Sequence, residues 1–215
     1  MKCVVTAGPT YEELDEVRRL TNFSTGALAS GLADFLAQNG HEVELLIGYY
    51  STCPPTAKAQ RRQTFTTTAD LRERLQGLAS AEMGALFHAA AVSDFEFGKI
   101  FARTAQGELR EVRSPKIATR HEGLLAELKP TPKIIGQLRG WFPNALLTGW
   151  KYELEGDRAQ AIAQGEWQIR ESQTDACVVN GRAYGAGFGL LTRQGKLRHL
   201  PDSAALFEAL EALLR

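Results

Sequence analysis

Apolar residues fall in short blocks along this chain, and the blocks switch between a strand-like run and a helical period. Cys3-Val4-Val5-Thr6-Ala7-Gly8 has the length and composition of a buried strand, and from Gly26 the residues Leu28, Leu32, Phe35 and Leu36 recur at helical spacing until Gly40. Residues 41–48 predict a second strand, 49–60 with Pro54-Pro55 a loop, 63–67 a third strand, and Leu71, Leu75 and Leu78 the apolar face of a second helix. The block 85–92 predicts an apolar strand ending in Ser93-Asp94-Phe95. Pro130-Thr131-Pro132 opens a helix with Ile134, Ile135 and Leu138 on one side, since proline is tolerated in a first turn. Further strands are predicted at 146–151 and 176–180 around a helix at 157–171. The end of the chain predicts an antiparallel hairpin, 189–192 with 196–200, then a helix capped by Asp202 that buries Leu206, Phe207, Leu210, Leu213 and Leu214. Alternating strands and helices of this kind build a doubly wound, mainly parallel sheet, here as one domain over 1–215.

Two stretches depart from the alternation. The connection from Gly8 to Gly26 is longer than the roughly 2–6 residues a strand-to-helix turn needs. It is polar and ends in Thr21-Asn22-Phe23-Ser24-Thr25-Gly26. A helix start presents unpaired N–H groups and partial positive charge, which suits a phosphate or carboxylate. The same residue types are also ordinary helix caps, so an anion-binding loop and a plain cap both account for them. The second stretch, 96–129, is rich in Lys, Arg, Glu and Gly and reads as an excursion: a lid, a β-ribbon or disorder. The alternation over 107–113 favours hairpin character within it.

Composition narrows the function classes. With 44% hydrophobic and 23% charged residues, 215 residues bury a sizeable core. Twenty-five basic residues balance twenty-five acidic ones, so no global field favours nucleic acid or an anionic membrane. No apolar run approaches a membrane span, and the first residues form a strand, which sets the cytoplasm as the expected location. Cys3, Cys53 and Cys177 are too dispersed for a disulfide framework, and His41, His88, His121 and His199 lack metal-ligand spacing. A G-x-G-x-x-G turn is missing after the first strand, so a standard dinucleotide site is not expected. Ligands of open α/β sheets bind beyond strand ends, and Asp94 stands at one.

Taken in order, Val5-Thr6-Ala7-Gly8-Pro9-Thr10, Asn22-Phe23-Ser24-Thr25-Gly26, Ala89-Ala90-Ala91-Val92-Ser93-Asp94-Phe95, Lys116-Ile117 and Val178-Val179-Asn180 resemble phosphopantothenoylcysteine synthetase over nearly the full chain. The resemblance implies a Rossmann-like fold, a homodimer, and a ligase that joins 4′-phosphopantothenate to cysteine at the expense of CTP or ATP with Mg²⁺. It implies no bound flavin: the chain starts at the synthetase's first strand, and the flavin-dependent decarboxylase domain that many bacterial members carry is expected to be absent. By the same resemblance Asn22 holds the acid's carboxylate or the acyl-nucleotide, and Gly8, Ser24, Thr25 and Gly26 serve the nucleotide phosphates. Ala89 and Ala90 pass close to the base, with Phe95 beside them. Asp94 meets the ribose or the Mg²⁺, Lys116 closes a lid, Trp150 forms an aromatic wall, Asn180 stands at the next strand end, and Arg18 reaches phosphate from the neighbouring subunit.

This chain also departs from the family pattern. Bacterial members carry a lysine-rich lid, whereas Lys116 is followed by Ile117-Ala118-Thr119-Arg120, leaving Arg120 as a substitute cation. Trp150-Lys151-Tyr152-Glu153 is closer to eukaryotic members, although CTP is favoured over ATP as the co-substrate. A related carboxylate–amine ligase acting on another acid, and a nucleotide-binding protein without catalysis, are the alternatives.

Overall fold

The computed structural model describes residues 1–54, 59, 61–80, 82–118 and 123–215. Its centre is an eight-stranded sheet built from β1 (Lys2–Ala7), β4 (Glu42–Gly48), β5 (Arg61–Phe65), β6 (Met83–His88), β10 (Leu146–Tyr152), β11 (Ala176–Asn180), β12 (Phe188–Thr192) and β13 (Leu197–Leu200). The spatial order is β13-β12-β11-β10-β6-β1-β4-β5, with β12 and β13 antiparallel and the other pairings parallel. Numbered along the chain, the six parallel strands read 3-2-1-4-5-6, the order in which two mononucleotide-type halves meet between the first and fourth strands. That junction lies between β1 and β6.

Alternation along the strands divides the core. Cys3, Val5, Ala7, Phe87 and Val178 pack under α1 (Ala27–Gln38) and α5 (Ser203–Ala212). Val4, Leu86 and Leu147 face α2 (Thr68–Gly77) and the short segment of 3-10 turn and α3 (Leu138–Trp141). Cys177, Val179 and Leu191 face α4 (Arg158–Ser172). Each long helix after α1 starts for a legible reason: Thr67 accepts from Asp70 N–H, Asp202 from Ala205 N–H, and Asp157 forms a reciprocal capping box with Gln160. Burial lifts the Cys3 thiol to about 11 and the Cys177 thiol to about 12, so both stay protonated, small apolar fillers.

Two expectations change and one is made specific. The 8–26 connection is not one long turn, because β2 (Tyr11–Glu13) and β3 (Arg19–Thr21) pair as an antiparallel hairpin inside it. Tyr11 and Glu12 are buried, and Glu12 accepts the N–H of Thr68 at the start of α2. The excursion is a three-stranded antiparallel sheet, β8-β7-β9, of β7 (Phe95–Arg103), β8 (Leu109–Glu111) and β9 (Leu124–Pro130). Gly107, at φ 83°, turns β7 into β8 where the alternating pattern predicted a hairpin. The helix after Pro132 shortens to a 3-10 turn at Ile134–Gln137 and one turn of α3, in a stretch diluted by Gly136 and Gly140. The predicted loop at 49–60 falls partly outside the described residues, as does Arg120. Among the described residues no helix is long and apolar enough to cross a membrane.

Away from the strands' carboxyl ends, Arg139 ties three elements together. Its guanidinium donates to the carbonyls of Gln173, Phe142, Pro143 and Ala145 and to the Asp175 carboxylate, 2.6 Å away. Asp175 also accepts Leu147 N–H at the start of β10. Arg139→Ala would strand these acceptors, and unfolding free energy is expected to fall by about 2–4 kcal/mol, read as a lower urea midpoint.

Candidate active site

The crevice beyond the carboxyl ends of β1 and β6 is where an open sheet of this order takes ligands. Here the two strands stay joined past their ends. Ala89 N–H donates to Thr6 O, Ala90 N–H to the Thr6 hydroxyl at 3.1 Å, and Ala91 N–H to Gly8 O at 2.9 Å. Thr10 N–H returns to Ala91 O, and Ser93 N–H donates to the Thr10 hydroxyl at 2.8 Å. The strand predicted over 85–92 therefore leaves the regular ladder after His88, because a threonine side chain replaces a backbone acceptor opposite Ala90. It remains pinned to β1 all the same.

Backbone from three loops meets at the floor of the crevice. Gly8 and Gly26 have φ of 75° and 76°, a region side chains disfavour. A Cβ on Gly8 would stand 1.8 Å from the Ser51 hydroxyl, and one on Gly26 would stand 2.9 Å from the same oxygen and 3.2 Å from Gly8 N. The Ser51 hydroxyl is buried without a hydrogen-bond partner among the described residues. Gly26 begins α1 in the left-handed conformation, with no side chain capping it from that position and no acidic residue in the first turn. The Thr25 hydroxyl accepts Ala27 N–H, and the Thr25 carbonyl accepts Thr52 and Cys53 N–H. Both readings of this loop thus have a physical basis: Thr25 is a local cap, and the helix start keeps a positive end free of carboxylates.

Asn22 braces the opposite wall. Its amide nitrogen donates to Ala91 O and Val92 O, each at 3.2 Å, so both amide hydrogens are used and the side-chain oxygen is left as an acceptor. Ser24 N–H bonds Asn22 O, which tightens the turn into α1. The N–H groups of Ala89 and Ala90 are spent on β1, so a ligand meets these two residues by close backbone approach. Asp94 follows at the strand end in an ion pair with Lys133, and Phe95, half-exposed, opens β7 opposite Pro130.

The remaining predicted residues divide into two groups. Trp150 and Asn180 lie on the neighbouring interior strands β10 and β11, towards their carboxyl ends, and the Trp150 indole N–H and the Asn180 side-chain oxygen are both buried without partners among the described residues. Arg18 and Lys116 belong instead to a contact between the hairpin and the small sheet. Arg18 pairs with Asp15 at 3.2 Å and donates to Ile117 O, Ile117 N–H donates to Asp15, and Glu16 N–H donates to Pro115 O. Burial alone would push the Asp15 carboxyl up, but these N–H donors, with Val17 and Arg18 N–H and the Arg18 charge, hold it below its ordinary value. Lys116 is exposed beside the buried Ile117.

Residues 1–204 match the family model of the DNA/pantothenate metabolism flavoprotein C-terminal domain. The chain belongs to this family. Among its relatives, the Coenzyme A biosynthesis bifunctional protein CoaBC of Bacillus subtilis is 30% identical over 218 residues, covering 98% of this chain and 49% of the relative. The protein of the same name from Thermococcus kodakarensis is 29% identical over 187 residues, covering 86% of this chain and 42% of the relative. The chain therefore spans about half the length of the curated relatives it matches. The DNA/Pantothenate Metabolism Flavoprotein from Streptococcus pneumoniae superposes with a TM-score of 0.86 at 24% identity, covering 100% of this chain and 98% of that one. A Cab2 mutant (H337A) in complex with phosphopantothenate-cysteine gives 0.71 at 18% identity over 99% of this chain and 84% of that one. These superpositions bear out the α/β, Rossmann-like expectation.

Ser51, Lys133 and His88 are not singled out as site residues in the sequence, and Thr6 and Thr10 are read there only as parts of a motif. The available signal was polarity inside apolar runs, since Thr6 and His88 interrupt β1 and β6 and are register partners. The Thr6 hydroxyl bonds His88 Nδ1 at 3.0 Å, beneath Ala89 and Ala90. Burial pushes the His88 imidazole down to about 4 from 6.5. The unfolded chain takes up a proton below pH 6.5 that folded His88 refuses until about pH 4, so stability is full above that window and falls as pH drops through it. The loss amounts to about 3 kcal/mol. His88→Leu should flatten the pH dependence of urea unfolding between those limits, and equal slopes in both proteins would refute the assignment.

Proposed function

We propose that this chain is a phosphopantothenate–cysteine ligase, forming 4′-phosphopantothenoylcysteine through an acyl-nucleotide intermediate on the route to coenzyme A. Membership of the family supports it, together with relatives named for coenzyme A biosynthesis and a fold shared with a protein solved in complex with phosphopantothenate-cysteine. The observation that carries it is Asn22, its amide braced across Ala91 O and Val92 O at the junction of β1 and β6, beside the free start of α1. A carboxylate, a phosphate chain and an amine have to be aligned at one place in such a reaction, and alignment with charge neutralisation supplies most of the catalysis once the acyl group is activated.

The roles follow from the chemistry of each group. The α1 start with Gly8, Ser24, Thr25 and Gly26 takes the phosphate next to the reacting carboxylate. Ala89, Ala90, Phe95 and Trp150 receive the nucleoside, and Asn180 the acid substrate or its phosphate. The resemblance sets Asn22 on the carboxylate or acyl-nucleotide, but both its amide donors are taken by Ala91 O and Val92 O, so its oxygen instead accepts a hydrogen bond from the attacking amine of cysteine, while the braced wall fixes the acyl carbonyl. The amine nitrogen then bonds the acyl carbon, the nucleotide leaves with the anhydride oxygen, and the nitrogen's proton passes to solvent. Lys116, on the segment docked to the hairpin, closes over the phosphates. Mg²⁺ takes one or two carboxylates plus phosphate oxygens, and Asp94 fits as the carboxylate that would hold it; the ion's contribution is neutralisation of phosphate charge. Among the described residues no three His, Cys, Asp or Glu converge on a metal position.

CTP is the favoured nucleotide, the enzyme works as a homodimer in the cytoplasm, and Arg18 exchanges its bond to Ile117 O for a phosphate of the neighbouring subunit. Val17, Leu20 and Phe23 support the dimer, being apolar and exposed on and after the hairpin.

The test is product detection by mass spectrometry after incubation with Mg²⁺, 4′-phosphopantothenate and cysteine, with CTP and ATP in parallel. Phosphopantothenoylcysteine is the expected product. Nucleotide bound without product under any condition would refute the reading in favour of a different acid or a binding protein. Asn22→Asp would set a carboxylate against two carbonyl oxygens, and amide formation should fall by about 100-fold or more while nucleotide binding changes far less. Lys116→Gln should slow the nucleotide-dependent first step instead, by about tenfold or more in single-turnover measurements.

A further inference from the structure

Lys133 is a further cation at the crevice, paired with Asp94. Its root is fixed on both sides. Thr131 N–H donates to Asp94 O at 3.0 Å, and the buried Thr131 hydroxyl donates to Ser93 O. On the other side Ile134, 2% exposed, is locked into the core facing α2. Ser93 is itself fastened to Thr10, and Asn22 holds the carbonyls of Ala91 and Val92 immediately before it. The Lys133 ammonium is thereby delivered to the segment between β6 and β7, where it meets the Asp94 carboxylate.

The pair is poorly explained as a stabilising salt bridge. The two side chains are 71% and 64% exposed, and ion pairs this open contribute little to folding. Its effect is on the field of the crevice. Asp94 alone would repel an anionic ligand from the free start of α1, whereas the ammonium cancels that charge and has three N–H donors, of which the carboxylate needs one. Exchanging an exposed carboxylate for a phosphate oxygen costs little. Arg18, by contrast, is held both by Asp15, whose side chain has no exposed surface, and by Ile117 O.

Resting on the function proposed above, we infer that Lys133 is a phosphate-binding residue, held between β6 and β7 by Asp94 until a phosphate-bearing ligand takes its free donors. Two ligands carry that group, the nucleoside triphosphate and the phosphorylated acid, and titration calorimetry in Mg²⁺ separates them. Wild type, Lys133→Gln and Lys133→Arg are each titrated with CTP, cytidine, 4′-phosphopantothenate and pantothenate, and ATP with adenosine replaces the first pair if ATP is the productive nucleotide. Lys133→Gln should weaken one phosphorylated ligand by about tenfold while its unphosphorylated counterpart stays within about twofold, and Lys133→Arg should keep most of the affinity. Whichever phosphorylated ligand is weakened identifies the source of the phosphate. Unchanged affinities, or equal losses with and without the phosphate, would overturn the inference while leaving the ligase reading intact. A wild-type protein that binds none of these ligands would overturn both. Since Lys133 is exposed, thermal unfolding of both variants should match wild type, and a lowered midpoint with unchanged relative affinities would assign the residue a structural role instead.

Discussion

The pairing of β1 with β6, carried past the ends of both strands, is the constraint on which the rest of the site depends. Ordinary ladder bonds hold the strands as far as His88, and beyond that the hydroxyls of Thr6 and Thr10 and the carbonyl of Gly8 take over. A buried amide hydrogen without an acceptor is costly, so each of these substitutions fixes the chain as firmly as a backbone bond would. The result is a rigid lip where the two halves of the sheet part. Asn22 reaches this lip from one side and Asp94 extends it on the other. Without the threonine hydroxyls, Ala90 N–H and Ser93 N–H would lose their acceptors, and the lip would be held only by the backbone bonds of Ala89 and Ala91 and by Asn22.

The opposite wall is set by steric closeness. Gly8, Gly26 and Gly48 let the end of β1, the start of α1 and the end of β4 pack backbone against backbone, and a Cβ on Gly48 would stand 2.2 Å from Pro9 O. This packing aims the positive end of α1 into the crevice without a charged side chain. A chain of zero formal charge can in this way build a local anion site, and the few cations near it act at short range. The His88 imidazole under the lip is neutral at physiological pH, which keeps the hydrogen bond to Thr6 free of charge.

The three-stranded sheet of β7, β8 and β9 relates differently to the core. Its strands bury few side chains, chiefly Ile100 and Ala102, and the whole of β9 is exposed. It is tied to the rest of the described chain at its root by Thr131 and at its far side by the contact of Asp15 and Arg18 with Ile117. β7 also lies along β2, with Ile100 and Ala102 buried, so the small sheet is held against the hairpin as well as at its root.

The sequence by itself determined the class of the fold and most of its elements. Strong periodicity marks β1, α1, β4, β6, β10, β11 and α5, and Asp157 and Asp202 mark helix starts, because these depend on neighbours within one or two turns of chain. It also determined the residues of the lip that belong to contiguous motifs, such as Asn22 and Asp94. Tertiary structure alone decided what joins them. The hydroxyl of Thr6 meets Ala90 from 84 positions away, Lys133 meets Asp94 from 39 away, and Asp15 meets Ile117 from 102 away. No local pattern carries such contacts, since each rests on the strand order and on which side chains that order brings face to face. The β2–β3 hairpin was hidden for the same reason: its strands are three residues each, and Tyr11 and Glu12 are buried only because α2 and the β4 end lie over them.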